Sequence, residues 1–332
     1  MKKMFKAAAF ILVVMLVLTG CASNSGSTSS EGDTSDQEVT YPTKAIELIV
    51  PAGAGGDTDM NARLFGKYLE KELGQPVVVV NVGGSGGTVG TRRVKDAKAD
   101  GHTVLFFHPE ILVPYVAGMV DYHIDAFEIA GIGVVDNTTV LATHKDSPYN
   151  SLSELVEDAK KNPGKIDFGM QTGGYPHIVG LAVEDAAGIE LNMTDVGGNA
   201  DKTVALMAGR TDFINTQYGL TKDYFESGDF KQLGLLSKER NPLMPDIPTA
   251  LEQGFDIVMD KFFFFGMPKG TSEDIVNKFS AAMEKVTQNP DYQKEAENIF
   301  VTPTYMNPKE ATNYIMEYHD RFMKFQEQMK GN

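Results

Sequence analysis

Between residues 46 and 68 a short apolar run stops in Pro51-Ala52-Gly53-Ala54-Gly55-Gly56-Asp57-Thr58-Asp59, and a helical pattern begins at once. Ile46, Leu48 and Val50 alternate, and Ile49 makes the run continuous, which predicts a strand. Met60, Leu64 and Tyr68 recur every four residues, which predicts one face of a helix capped by Thr58 or Asp59. Glycines therefore stand between a strand end and a helix N-terminus. Backbone N–H groups are free at such a point, and the helix dipole favours negative charge there. Glycine also lets a ligand come close to the backbone. The loop reads equally as an anion-capture site and as a tight turn.

The same unit returns along the chain. A strand over 77–80 ends in Asn81 and Gly83-Gly84-Ser85-Gly86-Gly87-Thr88, and one over 103–107 ends in His108-Pro109-Glu110. Further strands are expected over 129–135 and 140–143. Ser151 with Glu154 reads as a capping box opening a helix that stops near Asn162-Pro163-Gly164. A strand over 166–170 runs into Thr172-Gly173-Gly174-Tyr175-Pro176-His177 and a helix. A strand over 190–196 runs into Gly197-Gly198-Asn199, with Asn199 expected to cap a helix reaching Gly209. Short strands are expected over 212–215 and 232–236, a turn into a helix at Asp246-Ile247-Pro248-Thr249, and a strand over 262–267. Helices follow from Thr271-Ser272, with Ile275, Phe279, Met283 and Val286 on one face, and from Asn307-Pro308-Lys309-Glu310. Strands alternating with helices predict an α/β fold. Four glycine-rich strand-to-helix loops, two in each half, predict two lobes facing one cleft.

The N-terminus reads as a leader. Lys2, Lys3 and Lys6 precede an apolar run over 7–18 that is too short to span a bilayer. The run ends in Leu18-Thr19-Gly20-Cys21, which resembles the lipobox of bacterial lipoproteins, and Cys21 is the chain's only cysteine. Lipidation of Cys21 and a tether to the outer face of a membrane are expected. Residues 22–40 are rich in Ser, Gly, Thr, Asp and Glu and cannot bury a core. A net charge of −15 excludes nucleic acid as a partner class.

From Tyr41 onward the chain resembles the substrate-binding proteins of tripartite tricarboxylate transporters. The resemblance rests on an ordered set of short stretches. They include Tyr41-Pro42-Thr43-Lys44, Pro51 to Asp59, Leu73-Gly74-Gln75-Pro76-Val77, Asn81 to Gly87, Asp100-Gly101-His102-Thr103, Asn162-Pro163-Gly164-Lys165, Ala208-Gly209-Arg210-Thr211-Asp212 and Pro245-Asp246-Ile247-Pro248-Thr249. It implies a two-lobed clamshell of the type II periplasmic-binding-protein kind with a central cleft. The lobes expected are 41–142 plus 262–332, and 143–261, joined by crossovers near Thr143 and Phe262. It implies a monomer that captures a small carboxylate and presents it to integral membrane subunits. No catalysis, cofactor or metal is implied. By this match Gly55, Gly56, Thr58 and Asp59 belong to the first ligand loop, and Asn81, Gly84, Gly86 and Gly87 to the second, which also carries Ser85. In the second lobe His177, Gly198 and Asn199 match, with Thr172 and Gly173 on the adjoining loop. Ala52, Val82-Gly83, Pro176 and Val196-Gly197 depart from the usual residues around the cleft. The loss of arginine and lysine there argues against a multiply charged anion.

Other readings compete for these residues. Gly83 to Gly87 also fits the Gly-x-Ser-x-Gly elbow of a secreted serine hydrolase, with Ser85 as nucleophile. His108 and His177 stand at cleft loops, as hydrogen-bonding or ligand-contacting groups; His102, His123, His144 and His319 read as surface or loop residues. Phe262 to Phe265 reads as buried strand core, with at least one ring expected to face the cleft. Asp57 and Glu110 read as solvated or capping. If they line the cleft instead, the ligand carries an amino group as well as a carboxylate.

Overall fold

The computed structural model describes residues 40–330. The leader, Cys21 and tether residues 22–39 lie outside the described residues. The first stretch runs β1 (Ile46–Val50), α1 (Asp57–Leu73), β2 (Val77–Asn81), α2 (Thr88–Lys95), β3 (Thr103–Phe107), the short α3 (Val113–Val116) and β4 (Phe127–Asp136). The middle runs β5 (Thr139–His144), α4 (Leu152–Lys161), β6 (Asp167–Met170), α5 (Tyr175–Ala187), β7 (Asn192–Asp195), α6 (Asn199–Met207), β8 (Phe213–Gln217), α7 (Tyr218–Glu226) and β9 (Phe230–Leu235). The last stretch runs β10 (Lys261–Pro268), α8 (Glu273–Gln288), α9 (Pro290–Glu297), β11 (Thr302–Met306), α10 (Pro308–Met323) and α11 (Gln326–Lys330).

These strands form two sheets, in the orders β11-β4-β10-β3-β1-β2 and β7-β6-β8-β5-β9. In the first, β1 pairs in parallel with β2 and β3, while β10 runs antiparallel to β3 and β4. In the second, β6 pairs in parallel with β7 and β8, and β5 runs antiparallel to β8 and β9. The chain is thus a two-lobed α/β protein with one mixed sheet per lobe. It passes from the first sheet to the second at Asn137-Thr138, ahead of the crossover expected near Thr143, because β5 already belongs to the second sheet. It returns between Leu235 and Lys261.

Strand β10 shows why the first sheet holds. All eight of its residues are buried. Side chains alternate across a strand, so Phe263, Phe265 and Met267 enter one core and Phe262 and Phe264 the other. Phe106 and Phe263 stack with centroids 5.3 Å apart. The four phenylalanines are fully buried, so none faces solvent in the cleft as expected. The group the strand presents there is Lys261.

Several local expectations change. Helix α1 is capped by Gly56 and α6 by Gly198, so Thr58, Asp59 and Asn199 lie inside their helices. Ser151 caps α4, but Glu154 reaches back to the N–H of Asn150, one residue beyond the box. The segment after Thr249 forms turns rather than a helix. Gln253 holds them, accepting from Leu152 N–H at 2.9 Å and donating to Leu233 O at 2.9 Å. Among the described residues no helix is long and apolar enough to cross a membrane.

Candidate functional site

Between the lobes lies a cavity of about 630 Å³. Its walls come from the loops Pro51–Thr58 and Gly83–Gly87, from His108 and Glu110 after β3, and from the starts of α5, α6 and α7. Helices α1, α2, α5 and α6 all begin at this cavity, and all four have a glycine N-cap with no side-chain cap: Gly56, Gly87, Gly174 and Gly198. Helices α4, α9 and α10, away from the cavity, are capped by Ser151, Asn289 and Asn307 side chains. An uncapped N-terminus leaves its first N–H groups to whatever fills the space in front. Two such ends from each lobe point to an anionic occupant.

Glycine is required at one of these caps and not at another. Gly87 has φ +80°, and a methyl group there would stand 2.5 Å from the Phe107 ring. Gly56 has φ −83°, and a methyl group there would meet nothing closer than Gly53 O at 3.7 Å. The fold does not demand glycine at position 56.

Charge in the cleft is dense and nearly dry. Lys261, 3% exposed, forms an ion pair with Asp57, 8% exposed, at the first turn of α1. Its ammonium also lies 5.5 Å from the Phe263 ring centroid. Lys202, fully buried on α6, donates to Asn215 O at 2.6 Å and Asn215 Oδ1 at 3.0 Å. Burial pushes its ammonium down to about 7; Lys261 adds to the shift while Asp57 and Glu110 oppose it. Burial raises the Glu110 carboxyl, with Lys261 and Lys202 opposing and Asp57 adding. Burial holds the His108 imidazole well below its ordinary range, helped by Lys261, so the ring is neutral. His108 Nδ1 accepts from the Glu110 N–H at 3.3 Å, which leaves the ring proton on Nε2.

Of the residues expected to bind, Gly55, Gly56, Thr58, Ser85, His108, Gly198 and Asn199 line the cavity. Asn199 Nδ2 donates to Gln217 Oε1 at 3.0 Å and lies 3.5 Å from Asp57 Oδ1 in the other lobe. Asn81, Thr172, Gly173 and His177 are not part of its wall. Asn81 instead ties the first loop, donating to Ala52 O at 3.2 Å and accepting from Arg63 at 3.2 Å. His177 is buried and its Nδ1 takes the Gly173 N–H at 3.4 Å, while Thr172 N–H is held by Asp195. No hydrogen bond joins the Ser85 hydroxyl to a histidine among the described residues, so the elbow reading finds no relay. The sequence reading missed Lys261, Lys202, Asn215 and Gln217; it read Asp57 and Glu110 as solvated or capping and kept a place in the cleft only as the alternative, which is where both stand. A lone lysine fused to four phenylalanines was the one visible sign of a buried charge.

The tripartite tricarboxylate transporter family receptor matches residues 61–330. Protein BugT of Bordetella pertussis is 28% identical over 292 residues, covering 85% of this chain and 88% of that one. A structure of a periplasmic transporter superposes with a TM-score of 0.78 at 28% identity, covering 86% of this chain and 96% of that one. A TctC solute binding protein from Polaromonas, solved without ligand, gives 0.72 at 26% identity, covering 87% and 100%. With its two-sheet fold and its cleft of uncapped helix ends, the chain belongs to the tripartite tricarboxylate transporter receptor family, whose members are solute-binding receptors and not enzymes.

Proposed function

We propose that this protein is an extracytoplasmic receptor that captures a small carboxylate by closing two lobes over it. It then presents the closed form to the integral membrane subunits of a tripartite carrier. The observation that carries this reading is the convergence of four glycine-capped helix N-termini, two per lobe, on one cavity. The lobes follow the sheets: 41–136 with 261–330, and 139–235 with the returning segment. Acylated Cys21 is the anchor in this reading, and mass spectrometry of membrane-extracted protein should find it as the mature N-terminus. A mature chain that keeps Met1 would remove the anchor.

A thermal-shift screen with mono-, di- and tricarboxylates and amino acids tests the capture. A ligand that binds only the folded state stabilises it by about 2.7 kcal/mol at a hundred times its Kd. At least one compound should raise the melting point in proportion to the logarithm of its concentration. A flat response across the set at millimolar concentration would contradict carboxylate capture.

A further inference from the structure

The cleft presents more acid than base. Charged side chains on its wall are Asp57, Glu110 and Asp201 against Lys261 alone. Lys261 is already paired with Asp57, and Lys202 behind the wall is committed to Asn215. Asp201 accepts from Gly198 N–H at 3.3 Å. Glu110 differs from all of these. Its side chain is 15% exposed, and among the described residues no hydrogen bond reaches its carboxylate. The neutral His108 stands beside it, with Nε2 at 3.6 Å from Glu110 Oε2. A mostly buried carboxylate that no hydrogen bond satisfies is costly, so the site is completed by a cation or by a proton.

Resting on the reading of this cavity as a solute site, we propose that the ligand carries a protonated amine beside its carboxylate, and that Glu110 accepts the amine. The carboxylate faces the uncapped N-termini and the ammonium faces Glu110. A plain di- or tricarboxylate would bring its second negative charge to Glu110 with no free cation on the wall to meet it.

Calorimetric titration with matched pairs tests this: alanine and propionate, aspartate and succinate, glutamate and glutarate. The amine-bearing member of at least one pair should bind about ten- to a hundredfold tighter, the worth of one charge-assisted hydrogen bond. Glu110→Gln, with its ligand-free melting curve recorded alongside, should bring that ratio to within about threefold of one. Glu110→Asp keeps the charge but retracts it and should give an intermediate ratio; it also serves if the glutamine variant fails to fold. Acids that bind as tightly as their amine partners would overturn the proposal and leave the receptor reading standing. A preference that survives Glu110→Gln would overturn the role of Glu110. Binding by none of the six would overturn the proposal, while the wider screen decides separately whether the protein captures carboxylates at all.

Discussion

Two glycines that look alike in the sequence have different work. Gly56→Asp should separate binding from folding. Its backbone angle suits any residue and aspartate is a favoured N-cap, so the ligand-free melting point should hold or rise. Yet the side chain would take the helix N–H groups and add negative charge where a carboxylate docks. Affinity should fall about ten- to a hundredfold, as for the loss of one charge-assisted hydrogen bond. Calorimetry beside a melting curve reads both; wild-type affinity in a folded variant would remove this loop from the site. Gly87→Ala should instead cost stability, with φ +80° and the Phe107 ring in the way. At this scale the glycine loops were legible, because strand end, glycine and helix start are neighbours in sequence. The Asp57–Lys261 pair was not, because its members stand 204 positions apart. Only the topology that returns β10 to the first sheet brings them together.

Elements with strong local marks were readable. The capping box of Asn307 and Glu310 at α10 is present as expected, and β3 starts and stops at its expected residues. Elements without such marks were missed. Strand β11 has no fully buried side chain and includes Pro303, so its pattern does not alternate. Helix α7, with no side-chain cap to announce it, was not expected, and α9 was missed although Asn289 and Pro290 mark its start. The crossovers themselves carry an unexpected feature, a buried carboxyl at the end of β4 and another just before β10. Burial raises Asp136 to about 6 despite hydrogen bonds from Thr138, and raises Asp260 to about 7, with Asp136 adding to the shift while Lys238 and Arg321 oppose it. Asp260 Oδ1 has no hydrogen-bond partner. Below pH 3.8 the folded and unfolded chains both hold the Asp260 proton, and between there and about 7 only the folded chain keeps it. The cost of Asp260 to stability therefore grows as pH rises through that window and levels off above it. Asp260→Asn should stabilise the protein by about 1–3 kcal/mol near pH 8 and have little effect near pH 4, read from denaturant midpoints. An equal effect at both pH values would show that charge is not the cause.

At the scale of the molecule, one apolar core runs through both lobes, from Ile49 and Leu105 under the first sheet to Phe168 and Leu233 under the second. Tyr175 closes the seam, its hydroxyl donating to Met259 O at 2.8 Å on the returning crossover. Contacts also bridge the lobes away from that seam. Tyr218 and Phe300 rings stand 4.9 Å apart, and Asn199 reaches Asp57 across the cleft. These contacts join the two lobes across the cavity. Hinges absorb lobe motion in a few residues between rigid units, and the two-residue passage Asn137-Thr138 is one of them. Small-angle scattering of the whole chain, with and without a compound from the thermal-shift screen, tests closure most directly. The account predicts a larger radius of gyration without ligand, and at saturation a smaller one that fits the closed lobes. A radius unchanged by a ligand that binds would contradict capture by closure.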